Sequence, residues 1–191
     1  MTAFTINFDA IVHMTDEHFE QLCRANPDVK FERTAKGELV IVAPTGGETG
    51  SYNSELNADF AIWNRQAKLG VVFDSSTCFR LSNQALRSPD VAWIKQDRWD
   101  ALTPDQKAKF PPIAPDYVLE LMSPSDDRSD TQVKMREYIE NGVQLGWLID
   151  RKTRTIEVYR PNRLVESLEA PAALSGEAVL PGFVMNFQSI W

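Results

Sequence analysis

The order of apolar patterns in this sequence predicts an α/β fold, with a mixed β-sheet flanked by helices and an extra C-terminal β-hairpin. Three observations carry that expectation. Short β-branched and apolar runs recur along the chain. Two helix-period segments interrupt them. One run, Tyr117 to Met122, is apolar on both faces apart from a single carboxylate, as a central strand would be. The succession reads β-α-β-β-β-α-β-β. The 191 residues suit one domain with one substantial core, in which residues 1–30 read as an N-terminal embellishment and 95–116 as a proline-rich excursion.

Taken in order, Thr15 is an N-cap for a short helix carrying Phe19, Leu22 and Cys23 on one face. Glu38 to Ala43, ELVIVA, is a strand that ends at Pro44 and Gly46-Gly47. From Glu48 the period changes, because Tyr52, Leu56, Phe60, Trp63 and Ala67 mark one helical face up to a stop at Gly70. A strand of about ten residues is then expected from Val71 to Leu81, and Ser88-Pro89-Asp90 leads into the short strand Val91 to Ile94. After residues 95–116 comes the buried strand Tyr117 to Met122. Ser123-Pro124-Ser125-Asp126 then supplies turn and capping chemistry for a helix with Met135, Tyr138 and Ile139 inward, which stops at Asn141-Gly142. LGWLI from Leu145 is a further strand, and TIEVYR from Thr155 alternates like a half-exposed hairpin partner.

Composition removes several function classes. With 43% hydrophobic and 25% charged residues the chain is neither disordered nor fibrous. Cys23 and Cys78 have no partner spacing, which excludes a disulfide framework or a zinc knuckle. His13 and His18 both lie at the start of the chain, so a histidine-based nucleophilic or zinc site in the main body is not expected. The net charge of −7 argues against a sequence-independent DNA-coating protein, although Arg151, Lys152, Arg154, Arg160 and Arg163 gather near one hairpin. No apolar run approaches a membrane span and the opening MTAFTINFDA lacks a signal-peptide layout, so a soluble cytoplasmic protein is expected.

Glu120 is the sharpest single feature. In a strand its side chain shares a face with Val118 and Met122, where an ionised carboxylate costs several kcal/mol unless a cation or several donors meet it. A buried arginine or lysine would satisfy it, and a divalent metal is the other natural partner. Asp90 begins the neighbouring strand, and two carboxylates on adjacent strands can converge on one hard cation such as magnesium. Lys134, one turn before Tyr138, borders the buried stripe of the following helix and can reach over the end of the sheet to fix a water and balance charge on a phosphoryl group.

The segments SPDVAWI, PDYVLELMSPSD and KMREYIENGVQLGWLID, preceded by VIVAPTGGETG, resemble the Uma family of restriction-endonuclease-like proteins, a branch of the PD-(D/E)XK nuclease superfamily. The resemblance spans roughly residues 14–186. It implies a restriction-endonuclease-like core, with Asp90 and Glu120 as catalytic metal ligands for Mg2+ or Mn2+ and the Leu121 carbonyl as a third. Met122 stands where the superfamily pattern has its lysine, and Lys134 on the next helix is the position that fits in its place. Glu48 and Asn53 match family-typical positions near the metal or substrate. The implied function is a metal-dependent endonuclease acting on DNA, with a homodimer as the arrangement that cuts two strands. The alternative is a catalytically inactive nuclease-like module for binding or assembly. The TIEVYR hairpin and the C-terminal VMNFQSIW are the expected dimer contacts.

Overall fold

A computed structural model describes residues 3–191. The chain opens with β1 (Ala3–Ile6) and α1 (Asp16–Ala25), followed by β2 (Lys30–Arg33) and β3 (Leu39–Val42). The long helix α2 (Gly47–Ala67) leads to β4 (Gly70–Asp74), the two-residue strands β5 (Phe79–Arg80) and β6 (Leu86–Arg87), and β7 (Val91–Lys95). Two short helices, α3 (Gln96–Asp100) and α4 (Pro104–Ala108), precede β8 (Tyr117–Leu121), α5 (Arg128–Glu140) and β9 (Leu145–Asp150). Four more strands follow: β10 (Thr155–Tyr159), β11 (Glu166–Glu169), β12 (Ala173–Ser175) and β13 (Val184–Asn186).

The α/β class with a mixed sheet holds. The central sheet has six strands in the order β11-β10-β9-β8-β7-β4. Only β8 and β9 run parallel, joined by the crossover helix α5. Every residue of β8 is buried, and the period of two divides the strand cleanly. Tyr117, Leu119 and Leu121 enter a core with Leu56 and Phe60 of α2, Trp147, Phe183 and Phe187. Val118 and Met122 face Met135 and Tyr138 of α5. Gly146 of β9 lets α5 lie close to the sheet, because a Cβ there would stand 2.6 Å from Met135 Cε. The hairpin expected at Thr155 is part of the central sheet, where β10 pairs antiparallel with β9 and β11, and β12 and β13 form a separate two-stranded sheet that the sequence did not suggest.

A second sheet, fully antiparallel and ordered β1-β3-β2-β6-β5, lies outside the sequence expectation. Its strands are two to four residues long, too short for a hydrophobic period to show. The single strand expected from Val71 to Leu81 is in fact two strands in different sheets. Asp74 breaks it, since its carboxylate accepts from the Ser76 N–H at 2.9 Å and its carbonyl from the Thr77 N–H at 3.1 Å, which closes a local turn. Residues 95–116 also carry the two short helices α3 and α4. Thr103 caps the second, with Pro104 at its first position.

This packing corrects the half-exposed strand expected at TIEVYR, whereas Val184, Asn186 and Gln188 of the C-terminal segment face outward. β10 is covered on both edges by β9 and β11, and Ile156 and Val158 join the main core. Met185, Phe187 and Ile190 of the C-terminal segment are buried in the same core. The alternation in TIEVYR misleads because Glu157 and Tyr159, on the other face, are buried too: Glu157 accepts from Arg128, Gln132 and Tyr159. Two of the five basic residues nearby are paired within the chain, Arg160 with Glu166 and Glu177 and Arg151 with Glu48.

Helix α1 is fastened to the second sheet by Asp16, whose carboxylate bridges Arg33 of β2 and Arg80 of β5. Partial burial would raise the Asp16 pKa, but the two guanidinium groups overcome it and hold it below the ordinary 3.8. The bridge therefore contributes stability above that value and loses it as pH falls below 3.8 through the folded value. Asp16→Asn is expected to cost about 1–2 kcal/mol at neutral pH. In urea melts the gap between wild type and Asp16→Asn should narrow on acidification from about pH 5 to about pH 3. A gap that stays constant would show that the charge of Asp16 is not what fastens α1.

Candidate active site

The site lies in a cleft of about 430 Å³ between the two sheets and the start of α5. Strands β7 and β8 pair antiparallel with Val91 opposite Leu119, and one further step along that register sets Asp90 opposite Glu120 on the same face of the central sheet. Both carboxylates are buried, Asp90 at 4% and Glu120 at 7% exposure, and both line the cleft. Pro89 helps to place Asp90 by fixing the approach to β7.

Asp90 Oδ2 accepts the Leu121 N–H at 2.9 Å, whereas among the described residues Oδ1 meets the Asn53 amide at a long 3.5 Å. Asn53 Oδ1 is buried with no hydrogen-bond partner. Asn53 belongs to a stripe of amides on α2 that binds the sheet, with Asn57 donating to the Phe73 carbonyl and Asn64 to the Gly70 carbonyl. Burial pushes the Asp90 carboxyl up, opposed by the Leu121 N–H and by Lys30 and Lys134.

Glu120 has a protein cation. Lys134 Nζ lies 2.8 Å from its Oε1, and the Tyr138 hydroxyl donates to the same oxygen at 2.9 Å. Oε2 has no hydrogen-bond partner among the described residues. Burial raises the Glu120 carboxyl, Lys134 opposes this, and the charges of Asp90 and Glu32 add to the rise. The buried-lysine partner and the functional lysine, separate possibilities in the sequence, are therefore one residue.

Lys134 arrives from α5, in the second turn after the Asp127 cap, and its ammonium also donates to Glu32 Oε1 at 3.0 Å. Glu32 on β2 is 3% exposed. Its Oε1 accepts the Ser88 N–H at 3.0 Å and its Oε2 the Arg87 guanidinium at 3.2 Å, while Arg87 Nε donates to Glu137 at 2.6 Å. The result is a buried chain of alternating charge running Glu137, Arg87, Glu32, Lys134, Glu120. Burial alone would raise Glu32, but Lys134, Arg87 and Lys30 with the Ser88 N–H hold it down to about 2. Desolvation would lower the Lys134 pKa, and Glu120 and Glu32 reverse this, so the ammonium sits above its ordinary range.

The structure thus brings Asp90, Glu120, Lys134 and Asn53 together. It does not bring Glu48, whose exposed side chain pairs with Arg151 at 3.0 Å and does not line the cleft. Arg151 in turn stacks on Tyr52, 3.6 Å from the ring centroid. Glu32, Arg87 and Glu137 escaped the sequence reading. KFER is only four residues long, and nothing in it distinguishes a charge facing water from one facing a second sheet.

The sequence profile of a family described as "Putative restriction endonuclease", Uma2, matches residues 16–188. The chain belongs to this family. Among solved structures it is similar to a "putative nuclease belonging to DUF820" from Anabaena variabilis, with a TM-score of 0.76 and 19% sequence identity over 93% of this chain and 97% of that one. That likeness shows a shared fold. No curated protein matches the sequence. The family membership confirms the resemblance drawn from SPDVAWI and PDYVLELMSPSD, and the nuclease-type α/β architecture confirms the fold expected from it. No helix among the described residues is long and apolar enough to cross a membrane.

Among the described residues no three His, Cys, Asp or Glu side chains converge as a preformed metal cage. The oxygens of Asp90 and Glu120, with Leu121 lining the same cleft and Asn53 Oδ1 unpartnered, are a hard donor set that fits magnesium or manganese better than zinc.

The charge chain makes unequal demands on its members. Glu32→Gln leaves Arg87 with Glu137 alone and Lys134 with Glu120 alone, and the loss of one charge partner from two buried cations at once is expected to lower stability by about 2–4 kcal/mol. Glu120→Gln keeps an acceptor for Tyr138, leaves Lys134 on Glu32 and relieves repulsion with Asp90, so less than about 1 kcal/mol is expected. Urea denaturation of both variants in EDTA measures the difference. Equal losses would contradict the central place given to Glu32.

Proposed function

We propose that the protein is a metal-dependent endonuclease that hydrolyses DNA phosphodiester bonds, with Asp90, Glu120 and Lys134 as its catalytic residues and Asp90 and Glu120 as ligands of Mg2+ or Mn2+. The observation that supports it most is the meeting of two buried carboxylates from adjacent strands with one ammonium in a single cleft. DNA as the substrate follows from the description of the family.

A divalent ion held there supplies a Lewis acid for the phosphoryl oxygen and lowers the pKa of a water. Asp90 and Glu120 provide the negative charge that holds the ion, and the Leu121 carbonyl is the third oxygen in this reading. Asn53 steadies Asp90. Lys134 stays an ammonium, since two carboxylates keep its pKa above the ordinary range. It therefore acts as a hydrogen-bond donor that orients the attacking water and as a countercharge for the phosphoryl oxygens, not as the base that takes the proton. A homodimer in the cytoplasm completes the reading, with two clefts presented to two strands.

Among the described residues lining the cleft, the carboxylates of Glu32, Asp90, Glu120, Asp127 and Asp130 stand against the cations Lys30, Arg87 and Lys134. A phosphodiester is repelled by that balance until a cation offsets it, so the metal serves substrate binding as well as chemistry.

The inactive-module reading is favoured by one observation, that Lys134 already neutralises Glu120 without a metal. Two measurements separate the readings. Purified protein with Mg2+ or Mn2+ should cut DNA, and Asp90→Ala or Glu120→Ala should reduce this by at least about 100-fold. Cleavage that survives both substitutions would sink the assignment. Calorimetric titration of Mn2+ into wild type and Asp90→Ala should show uptake only in wild type, and absence of uptake in both would favour the inactive module.

Binding of fluorescent DNA offers a further check. Anisotropy should rise with Ca2+ or Mg2+ present and fall back in EDTA, and tight binding in EDTA would contradict the charge argument.

A further inference from the structure

We infer that Glu32 is the positioning residue that keeps Lys134 in the cleft once a divalent cation occupies Glu120. This rests on the metal reading of Asp90 and Glu120 and extends it to the second sheet.

A divalent cation on Glu120 places two positive groups on one carboxylate. The ammonium, 2.8 Å from Glu120 Oε1, is then repelled by the ion and would swing toward solvent on its flexible stem if Glu120 were its only anchor. It has a second anchor of different origin. Glu32 Oε1 stands 3.0 Å from Nζ and belongs to β2, in a sheet that contributes neither Asp90 nor Glu120.

Glu32 does not follow the lysine, because it is itself held on both oxygens. The Ser88 N–H binds Oε1 at 3.0 Å and Arg87 binds Oε2 at 3.2 Å, with Glu137 fixing Arg87 from behind at 2.6 Å. Ser88 and Arg87 lie within three residues of Asp90, so the clamp on Glu32 and the first metal carboxylate share one stretch of backbone. Met122 occupies the strand position where the superfamily pattern has its lysine, and it packs beside the α5-side core. A lysine on a strand is placed by the sheet itself. A lysine on α5 has no such constraint, and Glu32 supplies the missing one.

The test is a Mn2+ titration by calorimetry of wild type, Glu32→Asp, Glu32→Gln, Lys134→Met and the double variants with Lys134→Met. Without a well-placed Glu32 the ammonium has only Glu120 to pair with and competes harder with the ion. Glu32→Asp and Glu32→Gln should therefore each weaken Mn2+ binding by about tenfold in the wild-type background and by less than about twofold in the Lys134→Met background. Glu32→Asp retains the charge, so a loss in it that vanishes with Lys134→Met reports position and not net charge. It also carries the comparison if Glu32→Gln does not fold.

A second readout is the side-chain ammonium resonance of 15N-labelled Lys134, which should persist in Mg2+-loaded wild type and vanish in Mg2+-loaded Glu32→Asp. Equal weakening in both backgrounds would make Glu32 a direct ligand or a through-space charge and overturn the inference. Loss of the Lys134 resonance in Mg2+-loaded wild type would overturn it as well. Wild type that takes up no Mn2+ at all removes the metal reading and this inference together, and is recognised by the absence of heat before any variant is compared.

Discussion

The ion pair between Glu32 and Lys134 is the contact on which the rest of the site depends, because it ties the second sheet to the same ammonium that meets Glu120 of the central sheet, beside the Arg87–Glu137 pair that also joins that sheet to α5. On one side of it lie Arg87 and Glu137, on the other Glu120. Each ion in the chain is removed from water, and each would be expensive alone. Alternation of sign gives every member an opposite neighbour on at least one side. The consequence is structural before it is chemical: β2, β6, α5 and β8 are held at fixed distances across a polar cleft that hydrophobic packing could not close.

This arrangement explains how Glu120 can sit in a strand buried from end to end. Its face is apolar at Val118 and Met122, yet Tyr138 and Lys134 from α5 deliver a hydroxyl and an ammonium to one oxygen. Asp90 is satisfied more sparsely, with one strong backbone donor and one long amide contact. Burial raises both carboxyls, while Glu32, surrounded by three cations, is kept ionised. Three neighbouring carboxylates thus sit in different electrostatic settings: Glu32 is an anion fixed in the frame, Glu120 is paired with Lys134, and Asp90 is held by the Leu121 N–H.

The position of the lysine shows how one chemical arrangement can be reached by two routes. In the superfamily pattern that the sequence resembles, strand spacing alone places the lysine beside the acid. Here the lysine enters from a helix whose approach is permitted by Gly146 and whose register is set by Met135 and Tyr138 in the core. Helix register then delivers Nζ to Glu120 as reliably as strand register would, provided that the flexible stem meets a fixed anion at its tip.

What the sequence by itself determined were the features written in local periods. β7, β8, β9 and the inward faces of α2 and α5 follow from runs long enough to show a period of two or of 3.6, and Asp90 and Glu120 stood out because a charge interrupts such a run. The same local logic failed where runs were short or where both faces of a strand are buried. β1, β2 and β6 were invisible, the Val71 to Leu81 segment was read through the turn at Asp74 so that β4 and β5 merged, and the alternation in TIEVYR suggested an exposed face where Glu157 is instead covered by Arg128 and Gln132. Only the tertiary structure decided which charges meet. Glu32 and Lys134 are 102 positions apart, and Arg87 and Glu137 are 50 apart. Ion pairing has no period along a chain, so its partners become legible only when the sheets and the crossover helix have been set in place.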